Sequence, residues 1–442
     1  MKATIITTNL QKDLRWVSAP LDAGQADCMH QVSVYPGNRR QTFRGFGGAF
    51  TEAAAYCYQQ LPEEKRRKFM EFYFGKEGLR YTVGRTHLNS CDFSLGNYAC
   101  LEGPEDRSFY TGRDERYLIP MIQDAQKTAG KPVSLLASPW SPPAFMKTNH
   151  DMNHGGSLKK EYWELWAGCL AKYVAFYREK GCDISMISIQ NEPAAVQTWD
   201  SCIYSGAEEG AFAPVLRRAL DAAGCGSVQI LAWDHNKDVF VYRAEETLSV
   251  PGAEEALAGF GVHWYTGDHF DSIRCVKERW PDKAVWFTEG CVEYSRFDGK
   301  THQEKAEMYA HDMIGNLNAG ICGSIDWNLL LDAKGGPNHV GNFCEAPLML
   351  NGDGTDFTVM SEYYYIGQFS RCIQPGAVCL GSSVYTASVE TTVFENPDGS
   401  RAAVLLNTAD CGRPVSLTDN GADGFNFTLE PHSIATVCWQ KS

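Results

Sequence analysis

No two of the sixteen cysteines stand in a C-x-x-C pair, so zinc ribbons, thioredoxin-like redox sites and haem attachment lack their signature. No run approaches the ~18 apolar residues that a membrane helix needs. The opening stretch Met1–Asn9 is too short and polar to read as a secretory signal. G-x-G-x-x-G and G-x-x-x-x-G-K-[ST] are missing, which removes support for nucleotide binding. G-x-S-x-G and H-E-x-x-H are missing too, which argues against serine hydrolase and zinc protease chemistry. Basic charge is scarce, with 40 Lys and Arg against 54 Asp and Glu and a formal net charge of −14. DNA, RNA and anionic membranes reward clustered Lys and Arg, so none of them is expected as a partner. The expectation is a cytoplasmic protein with reduced thiols and no membrane anchor.

What remains is ordinary globular composition, 44% hydrophobic and 21% charged over 442 residues. Aromatics reach 12%, with 11 Trp and 20 Tyr. Such rings fill cores, and they also suit stacking on the apolar faces of sugars. Eight short β-branched and aromatic runs occur near residues 43–50, 80–88, 133–138, 184–190, 228–233, 259–264, 284–288 and 322–328. Amphipathic stretches separate them. In 161–180, for example, Trp166, Leu170, Tyr173 and Tyr177 fall on one helical face. Leu61-Pro62-Glu63-Glu64 supplies a helix start before Phe69, Phe72 and Tyr73. The alternation predicts an α/β fold, a (β/α)₈ barrel over 41–375, with a doubly wound sheet as the runner-up.

After about residue 375 helical periodicity gives way to short alternating runs. Glu390–Glu395 and Arg401–Asn407 flank Asn396-Pro397-Asp398-Gly399-Ser400, a hairpin signal, and Phe425–Leu429 and Ile434–Trp439 flank Glu430–Ser433 in the same manner. Ala3–Thr8 and Gln31–Tyr35 are strand-like as well. Residues 1–40 and 376–442 are therefore expected to join in one antiparallel β-sandwich beside the barrel.

In such a barrel the active site is lined from the C-terminal ends of the strands. Those ends carry Arg85, His87, Asn89 and Asp92, then Trp140, Asn191 and Glu192, His263 and Tyr265, Glu289, and Trp327 with Asn328. Two carboxylates stand out: Glu192 in Gln190-Asn191-Glu192-Pro193 and Glu289 in Phe287-Thr288-Glu289-Gly290. Each directly follows an apolar strand, three strands apart, so both can converge on one bond. Glycoside hydrolysis needs such a pair, one as acid and the other as nucleophile or base.

These stretches, with Gly45-Phe46-Gly47-Gly48-Ala49-Phe50-Thr51-Glu52, Asn89-Ser90-Cys91-Asp92-Phe93-Ser94, Ser138-Pro139-Trp140-Ser141-Pro142-Pro143, His263-Trp264-Tyr265, Asp326-Trp327-Asn328-Leu329, Gly335-Gly336-Pro337-Asn338 and Asn342-Phe343, resemble glycoside hydrolase family 30. The branch they resemble is the glucosylceramidase-like one of retaining β-glycosidases. The resemblance spans roughly residues 43–370 and implies the side sandwich. It also implies Glu192 as general acid/base and Glu289 as nucleophile, with no cofactor and no metal. Asp92, Trp140, Trp327 and Asn342 match positions that grip and stack on the sugar, and Tyr265 matches a tyrosine near the nucleophile. Asn191 is suited to bond the sugar 2-hydroxyl. Arg85 is placed to pair with the nucleophile's charge. His263 reads equally as a sugar contact or a packing histidine. Facing a like charge, Glu192 is expected to hold its proton more tightly than usual.

The resemblance points to a retaining exo-β-glycosidase, a β-glucosidase of glucosylceramidase type, and the expected cytoplasmic location points to small β-glycosides or oligosaccharides as its substrates. Related branches cleave β-1,6-glucan, β-xylosides or 6-deoxyglucosides, and a binding protein without catalysis would have lost a glutamate. Asp234-His235-Asn236-Lys237-Asp238 reads as a polar loop at the barrel mouth rather than a metal site, with sugar contact as the alternative. His150, Asp151, Asn153 and His154 read as another polar loop.

Overall fold

Each of the eight apolar runs forms one strand of a closed parallel barrel. They are β1 (Phe46–Phe50), β2 (Val83–Leu88), β3 (Ser134–Pro139), β4 (Ile184–Ser188), β5 (Gln229–Asn236), β6 (Gly259–His263), β7 (Ala284–Glu289) and β8 (Ser324–Asn328). Neighbours pair in parallel and β8 closes onto β1, which removes the doubly wound alternative. The computed structural model describes residues 2–297, 299–419 and 423–441, so Met1 and Ser442 at the ends of the two terminal segments lie outside the described residues.

Strand periodicity stacks the barrel interior in layers. Val83, Leu136, Met186, Leu231, Ala284, Trp286, Cys322 and Ile325 form one apolar cluster drawn from six strands or their starts. Two residues further along a strand a side chain returns to the same face. Arg85, Ser138, Ser188, Thr288 and Trp327 therefore form a polar and aromatic layer directly above that plug. A dry floor and a hydrogen-bonding ceiling follow from which residue types alternate within each strand.

The helices pack outside. Trp163–Glu179 buries Trp166, Leu170, Tyr173 and Tyr177, the predicted face. Glu63–Phe74 starts after Pro62 and buries Phe69 and Tyr73. His302–Ala319 begins with a capping box, Thr301 with Glu304, and stops at Gly320 in the left-handed region (φ 119°).

The second unit is a closed array of nine strands from both ends of the chain. Ser400–Asn407 pairs with Val389–Glu395 across the predicted Asn396–Ser400 turn. The second predicted hairpin is not formed. Ser433–Gln440 lies between Ser400–Asn407 and Lys2–Asn9, which take up both of its edges, so Asp423–Leu429 pairs instead with Arg413–Asp419 and with the end of Leu14–Gln25. Leu14–Gln25 escaped the sequence reading because Pro20 and its polar neighbours mask the alternation. One pair, Gln31–Thr42 with Arg413–Asp419, is parallel, so the array is not wholly antiparallel. The helix Ser361–Ser370 joins the units: the Trp16 indole donates to the Tyr364 carbonyl (2.7 Å), and the Gln368 amide donates to Thr8 Oγ1 (2.9 Å). No helix among the described residues is long and apolar enough to cross a membrane.

Candidate active site

At the C-terminal mouth of the barrel lies a cavity of about 350 Å³. Eight of the ten residues expected at the site line it: Asp92, Trp140, Asn191, Glu192, Tyr265, Glu289, Trp327 and Asn342. Arg85 and His263 do not. Both are fully buried behind the wall, where they touch the lining side chains rather than open space. The expected pairing of Arg85 with Glu289 is present, and of the two readings of His263 the buried one holds over sugar contact, so neither stands among the substrate-binding residues. Being inward-facing on β2 and at the end of β6, they lie one layer too deep.

Arg85 is the hub of that deeper layer. Its guanidinium donates to Glu289 Oε2 (2.5 Å), Asn191 Oδ1 (2.7 Å), Asp234 Oδ2 (2.8 Å) and Ser138 Oγ (3.1 Å). Only a planar fork with donors on every edge can serve four acceptors at once. Trp140 and Trp327 stack at 5.3 Å between ring centres, and the guanidinium sits 4.8 Å and 5.4 Å from their rings. Glu289 is fixed from the other side by the Tyr265 hydroxyl, which donates to Oε1 (2.8 Å).

Asp234 is the second hub. Ser138 and Ser188 hydroxyls donate to its Oδ2 at 2.8 and 2.6 Å, and Oδ1 lies 3.2 Å from His263 Nε2. Burial penalises its charge, but Arg85 and His263 hold its carboxyl well below the usual range. Gly261 makes this approach possible: a Cβ there would stand 2.9 Å from Asp234 Oδ1 and 2.8 Å from Thr288 Oγ1. The reading of 234–238 as a loop is thereby corrected. Asp234, His235 and Asn236 end β5, and all but Asn236 are buried. A register shift between Trp233 and His235, with φ of 68° at Trp233 and 46° at Asp234, turns this strand end inward. Left-handed backbone at such residues costs on the order of 1–3 kcal/mol each and persists only where the surroundings over-determine it. Here Glu209, paired with Arg243, accepts from the Trp233 amide, and the Asp234 carbonyl accepts from the Glu192 amide (3.0 Å).

Glu192 itself has φ 47°, which swings it off the strand direction into the cavity. His263 Nδ1 lies 3.2 Å and His235 Nδ1 3.6 Å from its Oε1. Burial raises its pKa, yet the two imidazoles outweigh that and hold the carboxyl well below the ordinary range. The expectation that a like charge would raise its pKa is reversed, because two imidazoles 3.2 and 3.6 Å from the carboxyl outweigh the effect of burial. Burial opposes charge on His263, but Glu289, Asp234 and Glu192 together push its pKa up to about 9. Asp92, buried and facing the charge of Glu289, is pushed up to about 7 while accepting from the Asn338 and Asn342 amides, both at 3.3 Å.

His235 and Asn236, placed at the barrel mouth by the sequence but not among the site residues, also line the cavity, as do Trp199, Gln197, Glu293, Arg296, Cys291 and Cys344, which escaped the sequence reading. For His235 and Asn236 a signal existed: β5 supplied no residue to the expected site, although every strand end of such a barrel faces it. For the others, which lie on loops or on the short elements Val292–Glu293, Tyr294–Phe297 and Cys344–Glu345 beyond the barrel strands, none did.

Residues 43–373 match the family model of the glycosyl hydrolase family 30 TIM-barrel domain, and 376–437 that of the family's beta sandwich domain. The structure of SrfJ from Salmonella typhimurium superposes with a TM-score of 0.97 at 40% identity, covering 100% of both chains. Lysosomal acid glucosylceramidase of Mus musculus is 29% identical over 93% of this chain and 83% of its own length. An endo-1,6-β-D-glucanase of Neurospora crassa is 26% identical over 91% of this chain and 86% of its own.

Proposed function

The chain belongs to glycosyl hydrolase family 30, and from that premise we propose that this glycoside hydrolase is a retaining exo-β-glycosidase, a β-glucosidase of the glucosylceramidase type. The observation that carries the reading is the pair Glu192 and Glu289 facing one cavity. Glu289 is pinned on both carboxyl oxygens by Arg85 and Tyr265. A carboxylate so aimed is suited to attack rather than to roam.

Glu289 forms a bond to the anomeric carbon as the glycosidic C–O bond breaks, and Glu192 gives its proton to the departing oxygen. Water then attacks the same carbon, its proton passes to Glu192, and the ester to Glu289 breaks, so configuration is retained. The neighbouring imidazoles favour the charged form of Glu192, and the 3.2 Å contact lets His263 hand it the proton that then passes to the departing oxygen. Asn191, held by Arg85 through its Oδ1, keeps its amide free for a sugar hydroxyl. A 350 Å³ cavity sits near the floor of the ~300–1,000 Å³ range of ligand pockets, which suits one terminal sugar. The proposal places the enzyme in the cytoplasm, with sixteen unpaired cysteines and small β-glycosides as substrates.

The similarity to a fungal endo-1,6-β-D-glucanase supports a second reading, cleavage within β-1,6-glucan by the same chemistry. Proton NMR of the first-formed sugar, run on aryl β-glucosides and on the glucan, separates the possibilities. The β-anomer of glucose should appear first, and Glu289→Gln should abolish turnover while leaving glucose binding largely intact. An α-anomer appearing first, or a Glu289→Gln enzyme of near-normal rate, would overturn the mechanism. Mid-chain products at comparable efficiency would select the glucanase.

A further inference from the structure

From the grouping of Glu192, His235 and His263 we infer a binding site for a divalent transition metal of the Zn²⁺ class, which switches the enzyme off when filled. Each residue offers one ligand atom, and these atoms lie within 4.8 Å of one another. A tetrahedral zinc site with bonds of ~2.0–2.1 Å has ligand-to-ligand edges of about 3.3–3.4 Å. Glu192 Oε1 stands 3.2 Å from His263 Nδ1 and 3.6 Å from His235 Nδ1, on either side of that edge.

Three further observations support it. His235 Nδ1 is buried with no hydrogen-bond partner, aimed at Glu192. A stranded buried nitrogen of this kind is costly unless something comes to it. His263 has its other nitrogen on the Asp234 carboxylate at 3.2 Å, the outer-sphere bond that orients a metal-ligating imidazole. Arg85 pairs with Glu289 and Asp234 but not with Glu192, whose carboxylate is left to the two imidazoles and to an incoming cation. Two nitrogens and one carboxylate suit zinc, with the cavity side left for water.

The consequence rests on Glu192 acting as acid/base. An ion on Oε1 occupies the lone pair that must carry the proton, so the leaving oxygen cannot be protonated. Binding and release of the ion need no redox step.

Cobalt(II), a zinc surrogate with visible absorption, is titrated into the chelator-stripped full chain. One Co²⁺ per chain is expected, with a four-coordinate spectrum erased by Zn²⁺ and with hydrolysis of an aryl β-glucoside falling in step with occupancy. His235→Gln should weaken binding by at least the ~10–100-fold that even an outer-sphere partner commands. In the unsubstituted chain bound Zn²⁺ should shift the ring-nitrogen NMR signals of His235, a readout that needs no variant to fold. Cys344→Ser should leave the spectrum as it is, since Cys291 and Cys344 line the same cavity. Failure to reach one ion per chain, His235 signals unmoved by Zn²⁺, His235→Gln binding as the parent does, or loss of the ion in Cys344→Ser would each overturn the site. The spectrum requires no turnover, so a chain that binds the ion yet hydrolyses no β-glucoside supports the site and refutes the activity. Undiminished hydrolysis at full occupancy refutes the switch.

Discussion

Replacing Arg85 tests the layer on which the whole site rests. Its side chain is fully buried and donates to four acceptors, two of them the carboxylates of Glu289 and Asp234. Arg85→Met keeps the bulk and removes the charge. Removing one partner of a buried ion pair costs about 3–5 kcal/mol, and with two carboxylates stranded the upper part of that range applies. Asp234 keeps Ser138, Ser188 and His263, and Glu289 keeps Tyr265, which holds the loss within it. At ~2.1 cal/mol/K per residue the 442 residues have an unfolding entropy near 0.9 kcal/mol/K, so the melting temperature should fall by only about 4–5 °C. Arg85→Lys keeps the charge but reaches one acceptor at a time. Glu289 and Asn191 then lose their common anchor, and a misplacement of about 1 Å in a reacting group costs on the order of 100-fold. Because Arg85 does not line the cavity, that loss should fall on kcat with KM little changed. Calorimetry of both variants and initial rates on an aryl β-glucoside provide the two numbers. Arg85→Lys within threefold of the parent kcat, or Arg85→Met melting with the parent, would refute the claim that one guanidinium organises the site.

Glu192→Ala should lose ~10²–10⁴-fold on alkyl β-glucosides, spare the first step for activated aryl leaving groups, and regain turnover with azide; equal losses on both substrate types would remove Glu192 from the acid/base role. His311 links the helix His302–Ala319 to Glu390 of the side array (2.8 Å) and to Asp268 (3.1 Å), and these bonds push its pKa up to about 9 against an unfolded value near 6.5. A raised histidine stabilises below the unfolded pKa and loses that stability as pH climbs through the folded one. The melting difference between parent and His311→Gln should therefore shrink between about pH 6.5 and 9, and a pH-independent difference would refute the link. Cys28, Cys275 and Cys411 are exposed and should react quickly with a thiol reagent in the native state, with all sixteen reacting in denaturant without reductant; fewer than sixteen would reveal disulfides.

Much of the molecule was legible in advance because the informative patterns are local. The period of the apolar residues marks strand or helix within a few residues, and eight alternations then leave few closed architectures. A residue just past an apolar run sits at the barrel mouth whatever the rest of the chain does. Glu192, Glu289, Trp140 and Tyr265 could be placed for that reason.

Other features depend on how distant strands meet. Arg85 and Glu289 are 204 positions apart, and Arg85 and Asp234 are 149 apart. Only closure of the barrel decides that these groups touch, and that Arg85 and His263 lie behind the wall instead of on it. The bulge that turns His235 inward answers to Glu209 and Glu192, neither of which is its neighbour in the chain. The strand order of the side array depended on which edges were already occupied, which a hairpin signal at Glu430–Ser433 cannot express. The lowered pKa of Glu192 is of the same kind. A side chain's charge depends on what lies within a few ångströms of it, and in this barrel those neighbours are His235 and His263, brought to Glu192 from two other strands.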